Sequence, residues 1–407
     1  MVNRYHNNRR VNNPILLLLI FLVLIILLSL WQVGSSAAQG QQPFPIMELP
    51  EEARTVPAQL ESPQAPRLSP YPKLDSTLLE LAMTTERSPA TARIFAQNND
   101  LRMAGDKVQT RIFFAQGKQQ AAAKAIVEAG GDVTFVSDLD PELQAWIPLS
   151  ALQSLSMAKS VNAVDRPAYA YPFGIDSGEI SSEGLQPLNA PQWNDIGQRG
   201  AGVKIAVIDS GFAGYLTLLG SELPAQVTVK NFVDGQGDAE VDGTSKHGAA
   251  CAEIIYDIAP DAQYYLLKID TNLDLQEAVN YAISQGVDII STSVGWYNLT
   301  PGDGTGQFEN LAKLALDNGI IWFTSAGNDR LRHWAGTFDD RNGSGFHEFR
   351  PGWEINYFGP DEETVFLLNP GFAIRFLMRW NDWSSVNQDY ALYLFRGNES
   401  EGLSVVA

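Results

Sequence analysis

Four histidines occur in the 407-residue chain, and His6 lies in the terminal tail, so imidazole chemistry falls to His247, His333 or His347. His247 opens the run HGAACAEIIYDIAP, in which Ala250, Ile254 and Ile255 give a helical apolar spacing and Pro260 stops it. The ring therefore sits at a helix N-terminus, where the positive end of the helix dipole disfavours imidazolium. A neutral ring able to accept a proton is expected. Asp209 ends GVKIAVIDSG, a short apolar run of the kind that is buried on both faces in a parallel sheet, and ligand chemistry in such sheets gathers at the carboxyl ends of strands. Each residue alone also has a plain structural reading: a helix cap or turn for Asp209, a capping side chain for His247. Two further strand ends are small or polar, Ser293-Val294-Gly295 and Ser325 to Asn328. Cys251 is the single cysteine, which excludes an intramolecular disulfide and multi-cysteine zinc sites; on a helix it reads as a small buried hydrophobe. His333 and His347 show no ligand spacing and read as surface residues rather than metal ligands.

The elements that must position these residues alternate. AQYYLLKI, LQEAVNYAISQG, VDIISTSVG, FENLAKLALDNG and IIWFTSAGN follow one another as strand, helix, strand, helix, strand, the rhythm of a doubly wound α/β sheet. The glycines of GQRGAG precede the strand instead of following it, which excludes a dinucleotide-binding turn. Upstream, residues 107–166 read β-α-β-β-α-β, a ferredoxin-like α+β module, here given the bounds 105–172. Residues 39–104 are expected to be a linker, because eight prolines between Gln39 and Pro72 oppose regular helix. Arg4, Arg9 and Arg10, the apolar run from Ile15 to Leu28 and the small residues near Ala38 make residues 1–38 an export signal, with an uncleaved membrane anchor as the alternative. The chain would then be secreted or held in the cell envelope. With 28 basic against 47 acidic residues, a net charge of −19 repels phosphate backbones, so nucleic acid is not an expected partner.

Four segments, VIDSG, HGAACA, STSVG and TSAGN, in this order and strand context resemble the subtilisin-like serine peptidases. The resemblance covers about residues 185–329, and the α+β module before it is similar to the inhibitory prodomain of that family. It implies a serine endopeptidase made as a zymogen, with protein or peptide substrates and its own prodomain as intramolecular inhibitor. Asp209 would orient His247, which would take the proton of a serine nucleophile. Asn328, beside Gly327, would donate its amide to the tetrahedral oxyanion, and Ser293, Val294 and Gly295 would form the edge that pairs with an extended peptide. The tail Pro167 to Pro172 would lie in the cleft, and a mature chain would begin between Tyr171 and Leu188. Cys251 resembles the free thiol of a cysteine-bearing branch. No cofactor is required. A structural calcium fits the family, but no acidic loop has a spacing that assigns its ligands.

The pattern then breaks. The family's serine stands in a G-T-S-x-A/S-x-P segment after the asparagine motif, and nothing from Asp329 to Ala407 matches it. Over these residues alone the resemblance implies a nearly inert chain. Residues 330–407, with GFAIRFLMRW and DYALYLF as strands, read instead as a partial β-sandwich resembling the pre-peptidase C-terminal type, inserted between the two motifs. Leu403 to Ala407 looks like mid-strand, so the serine is expected beyond residue 407. A non-catalytic scaffold that binds through the sandwich is the alternative function.

Overall fold

A computed structural model describes residues 71–172, 182, 184–328, 333–355, 376–383, 390–398 and 402–405. The expected signal and the linker up to residue 70 lie outside them. Among the described residues no helix is long and apolar enough to cross a membrane. The chain divides into two compact units, one ending at Asn328 and the other following it.

The first unit opens with two helices, α1 (Ser76–Arg87) and α2 (Pro89–Asn98). The Asp75 side chain caps α1 by accepting from the Thr77 and Leu78 amides, and Ser88 caps α2, whose Pro89 stands in the first turn where its missing N–H costs nothing. Leu78, Leu81, Ala82, Ala92 and Ala96 recur at helical spacing and are buried against the module that follows. This corrects the linker expected as far as residue 104. Proline density ends at Pro72, and the apolar stripe after it has a core to cover.

The module contains β1 (Met103–Ala104), β2 (Lys107–Phe114), α3 (Gln119–Glu128), β3 (Asp132–Val136), β4 (Glu142–Pro148), α4 (Leu152–Ser156) and β5 (Val161–Asp165). Its pairs are antiparallel, with β2 between β4 on one side and β1 and β5 on the other, and β3 on the outer side of β4. Strand alternation splits β2 and β4 into two faces. Val108, Ile112, Leu143, Ala145 and Ile147 join the module's core, whereas Gln109, Arg111, Glu142 and Gln144 are polar and nevertheless buried.

A second sheet is wholly parallel, in the order β12-β10-β7-β9-β8, built from β7 (Lys204–Asp209), β8 (Thr228–Asn231), β9 (Gln263–Lys268), β10 (Ile289–Thr292) and β12 (Ile321–Thr324). Short helices α5 (Ala190–Asp195) and α6 (Tyr215–Leu218) flank β7 in the chain, and α7 (His247–Ile258), α8 (Asn272–Gln285) and α9 (Gln307–Asp317) are the longer connections. On one face Ala206, Ile208, Leu267 and Ile290 meet Leu275, Ala278 and Val279 of α8 and Leu311 and Ala315 of α9. On the other, Val207 and Leu266 meet Ala249 and Ala252 of α7. The chain order turns about β7, with later strands on both sides of it, so the carboxyl ends of β7 and β10 flank a topological switch point. One short strand, β11 (Val294–Gly295), leaves that edge and pairs antiparallel with β6 (Tyr171–Pro172).

In the second unit, β13 (Phe395–Asn398) and β14 (Gly402–Val405) form an antiparallel pair. Of the runs expected as strands, residues 376–380 and 390–394 are not strand, whereas Phe395, the last residue of the second run, opens β13. The remainder of the expected sandwich lies outside the described residues. His347 is not a plain surface residue. Its Nδ1 accepts from the Asp339 amide at 3.0 Å, and its ring centroid is 4.7 Å from those of Trp334 and Phe349.

Candidate active site

Asp209, the last residue of β7, is fully buried. Its Oδ1 accepts from the Ser210 amide at 2.8 Å, while its Oδ2 is hydrogen-bonded to His247 Nδ1 at 2.8 Å. His247 is the first residue of α7 and is 5% exposed, and its own amide donates to Ser245 Oγ at 3.2 Å. The contact between strand end and helix start depends on the small residues beside them. The Gly248 amide donates to Gly211 O at 3.1 Å, and a Cβ on Gly248 would stand 2.6 Å from that oxygen and 2.7 Å from Asp209 Cβ. A glycine after the histidine is what lets α7 approach β7 closely enough for the pair to form.

Burial works against a charged imidazole here, but the hydrogen bond to Asp209 and the Cys251 sulfur outweigh it and push the His247 pKa up to about 11. The carboxylate thus favours the imidazolium that the helix dipole disfavours. A dipole equivalent to about half a charge is outweighed by a full carboxylate at hydrogen-bond distance. Cys251 Sγ lies 4.0 Å from both ring nitrogens, and the residue is half-buried against the core beneath α7, so it is neighbour to the ring as well as packing atom. The donor atoms of Asp209, His247 and Cys251 lie within 4.8 Å of one another, close enough to share a soft cation.

The remaining candidate residues stand along the same edge of the sheet. Ser293 follows β10, Val294 is buried, and β11 pairs Val294 with Pro172 and Gly295 with Tyr171. Gly327 takes φ +77°, and Asn328 after it is exposed, past the carboxyl end of β12. Asp209 and His247 are brought into direct contact, whereas Ser293–Gly295 and Asn328 share the edge with them.

The segment that pairs with β11 is gripped on a second side, by residues that motif reading did not single out. The Ala170 amide donates to Asp270 O at 2.7 Å, the Asn272 amide donates to Ala168 O at 3.1 Å, and Tyr169 bridges Thr271 antiparallel. Beyond Gly295, Trp296 Nε1 donates to Ala168 O at 3.0 Å and the Tyr297 ring lies 5.5 Å from that of Tyr171. Two exposed-type aromatics directly after a small-residue strand end were the available signal.

The polar face of the module packs over the start of α8. Gln144 Nε2 donates to Asp234 Oδ2 at 2.8 Å, and Gln144 Oε1 accepts from Thr271 Oγ1 at 2.9 Å. Gln109 Nε2 also donates to Asp234 Oδ2, at 3.1 Å, and Asn272 Nδ2 reaches Glu142 Oε1 at 3.4 Å. Arg102 pairs with Asp270 at 2.9 Å. Thr271 and Asp274 form a reciprocal capping box at the head of α8. Burial raises the Asp274 pKa to about 7 against the backbone hydrogen bonds that lower it, and burial likewise raises Glu142, where Arg111 offsets part of the effect.

Residues 200–350 match the profile of the subtilase family, Peptidase_S8. The chain is 27% identical over 173 residues to the major intracellular serine protease of Bacillus subtilis, covering 38% of this chain and 51% of that protein. It is 29% identical over 227 residues to an intracellular serine protease of Paenibacillus polymyxa, covering 51% and 60%. The chain thus spans about half the length of the curated relatives it matches. Among solved structures, the epidermin leader peptide processing serine protease of Staphylococcus aureus is 17% identical with a TM-score of 0.40, over 55% of this chain and 62% of that one. The parallel sheet and its buried Asp209–His247 pair fall within residues 200–350, the stretch that matches the subtilase profile.

Proposed function

We propose that the protein is an exported serine endopeptidase made as a zymogen, in which the module through Asp165 is an inhibitory prodomain and Ala168–Pro172 is a peptide held in the substrate cleft. The observation that carries the reading is the pairing of Tyr171–Pro172 with Val294–Gly295 on the sheet edge where Asp209 meets His247. A peptide bound there is held by main-chain hydrogen bonds, which any extended sequence can make. The step uses the neutral ring, in which Asp209 holds the proton on His247 Nδ1 and Nε2 takes the proton of an attacking serine Oγ. The carboxylate stabilises the imidazolium that this transfer creates. As the tetrahedral intermediate forms, the Asn328 side-chain amide donates to its oxyanion, and collapse passes the proton from Nε2 to the leaving amine. The reaction so written needs no cofactor. Its substrates are proteins or peptides, and the basic start with its apolar run supports export.

The serine itself has no match between Asp329 and Ala407, and this makes the test specific. The native product is treated with a fluorophosphonate probe and its amino terminus is sequenced. A labelled serine in a G-T-S-x-A/S-x-P segment and a mature terminus between Tyr171 and Leu188 are expected. An unlabelled protein, or a secreted product that still includes Lys107, refutes the reading and favours a scaffold with no hydrolytic role.

A further inference from the structure

Trp296 and Tyr297 follow directly on the strand that holds the peptide, and both touch it. The Trp296 indole is stacked on Phe308 of α9, ring centroids 4.9 Å apart, which fixes its N–H on Ala168 O. That carbonyl accepts a second bond, from the Asn272 amide on the opposite wall. The peptide is therefore clamped at Ala168 from both sides, three residues before the aromatic contact. Tyr297 is 39% exposed and meets the Tyr171 ring in a tilted arrangement. Main-chain pairing at Gly295 carries no sequence preference, but a ring set beside that position does, because a ring–ring contact adds to simple area burial.

We infer that Trp296 and Tyr297 extend the peptide-binding edge beyond Gly295 into a specificity element, so that the cleft takes peptides with an aromatic side chain at the position opposite Gly295. Tyr297 reads that side chain. Trp296 sets the register by holding the carbonyl three residues earlier. The ligand class is an extended peptide of at least five ordered residues with Tyr, Phe or Trp in the fourth. The inference rests on the peptidase reading for its meaning as substrate selection, yet the chain's own tail lets it be tested without catalysis.

Amide exchange across residues 168–172 is followed by mass spectrometry in the full chain. Tyr171→Phe should leave protection unchanged, and Tyr171→Leu and Tyr171→Ala should each speed exchange about fivefold. In a Tyr297→Ala background these differences should vanish, while Tyr297→Phe restores them. Trp296→Phe, which keeps the stack on Phe308 and removes the donor, should speed exchange several-fold with every residue at 171. In the processed protein, kcat/KM for a peptide with Tyr opposite Gly295 should exceed that for its Ala analogue about fivefold, and Tyr297→Ala should abolish the difference. A tail protected equally with Leu or Ala at 171, or an aromatic preference that survives Tyr297→Ala, overturns the inference. A protein that cleaves no peptide and takes no fluorophosphonate sinks the peptidase reading, and the exchange series then decides the aromatic contact alone.

Discussion

Replacing Gly248 by alanine sets two measurable effects against each other. Alanine is the better helix former, by about 1 kcal/mol in a helix interior, so propensity alone predicts a more stable protein. The added Cβ, however, would lie 2.6 Å from Gly211 O, 2.7 Å from Asp209 Cβ and 2.7 Å from Phe212 Cε1. Ordinary contact begins at 3.4 Å, so α7 must retreat by several tenths of an ångström. None of the three atoms is the end of a flexible chain: one is backbone, one belongs to the buried aspartate and one to a ring with no exposed surface. Overpacking of this kind costs about 1–3 kcal/mol, and the retreat also lengthens the 2.8 Å bond between Asp209 and His247. The expected net result is a loss of up to about 2 kcal/mol, read as a lower urea midpoint at unchanged slope. NMR titration of His247 should show a lower pKa as well. A variant as stable as the parent, with His247 titrating as before, would refute the claim that close approach at residue 248 is what builds the pair.

Asp209→Asn keeps the shape of the acceptor and removes its charge, while burial of the ring and the Cys251 sulfur remain; the His247 pKa should fall well below about 11, measured by NMR titration. Gln144→Ala strips Thr271 Oγ1 of its acceptor and Asp234 of one donor, and should weaken docking of the module by about 1–3 kcal/mol, read as faster amide exchange in β4 and at the head of α8. Docking should also depend on pH. The raised pKa of Asp274 means that the docked state binds its proton more tightly than an exposed carboxyl would. The stabilisation is then complete below about pH 4 and fades as pH rises through about 7. The Asp234 carboxylate nearby acts in the same direction. If all of the burial came from docking, the change between pH 4 and 7 would approach about 3 kcal/mol; exchange protection at Gln144 that is flat or rises over this window would contradict it.

Asp209 and His247 were legible because each is set by a few neighbouring residues: an apolar strand that ends in an acid, and a helix whose first turn is small. The parallel sheet could be read from the alternation of strand and helix for the same reason. The two helices at 76–98 were hidden by the prolines before them, which describe the chain only as far as Pro72. Gln109, Arg111, Glu142 and Gln144 have the alternation of a solvated strand face. Nothing local in them reveals partners more than 100 residues away at Asp234, Thr271 and Asn272. The upward push on His247 was hidden on the same point, because the helix end is visible in the sequence whereas the 2.8 Å approach of Asp209 is a property of the packed molecule. Trp296 and Tyr297 were missed because a motif read as Ser293–Gly295 stops two residues too soon to include them.

The segment on β11 is tethered, with only five residues between the end of β5 at Asp165 and Tyr171. A short tether of this kind keeps a ligand at an effective concentration of roughly millimolar, so a free peptide must approach that level before it can displace Ala168–Pro172. Cutting the chain after Pro172 would not lower that figure, because the tail stays joined to a module docked independently on α8. Cleavage and release are thus separate events. Val294–Gly295 is vacated when the polar interface at Gln144 lets go, and a second cut between Asp165 and Ala168 would turn a bivalent contact into a weaker monovalent one.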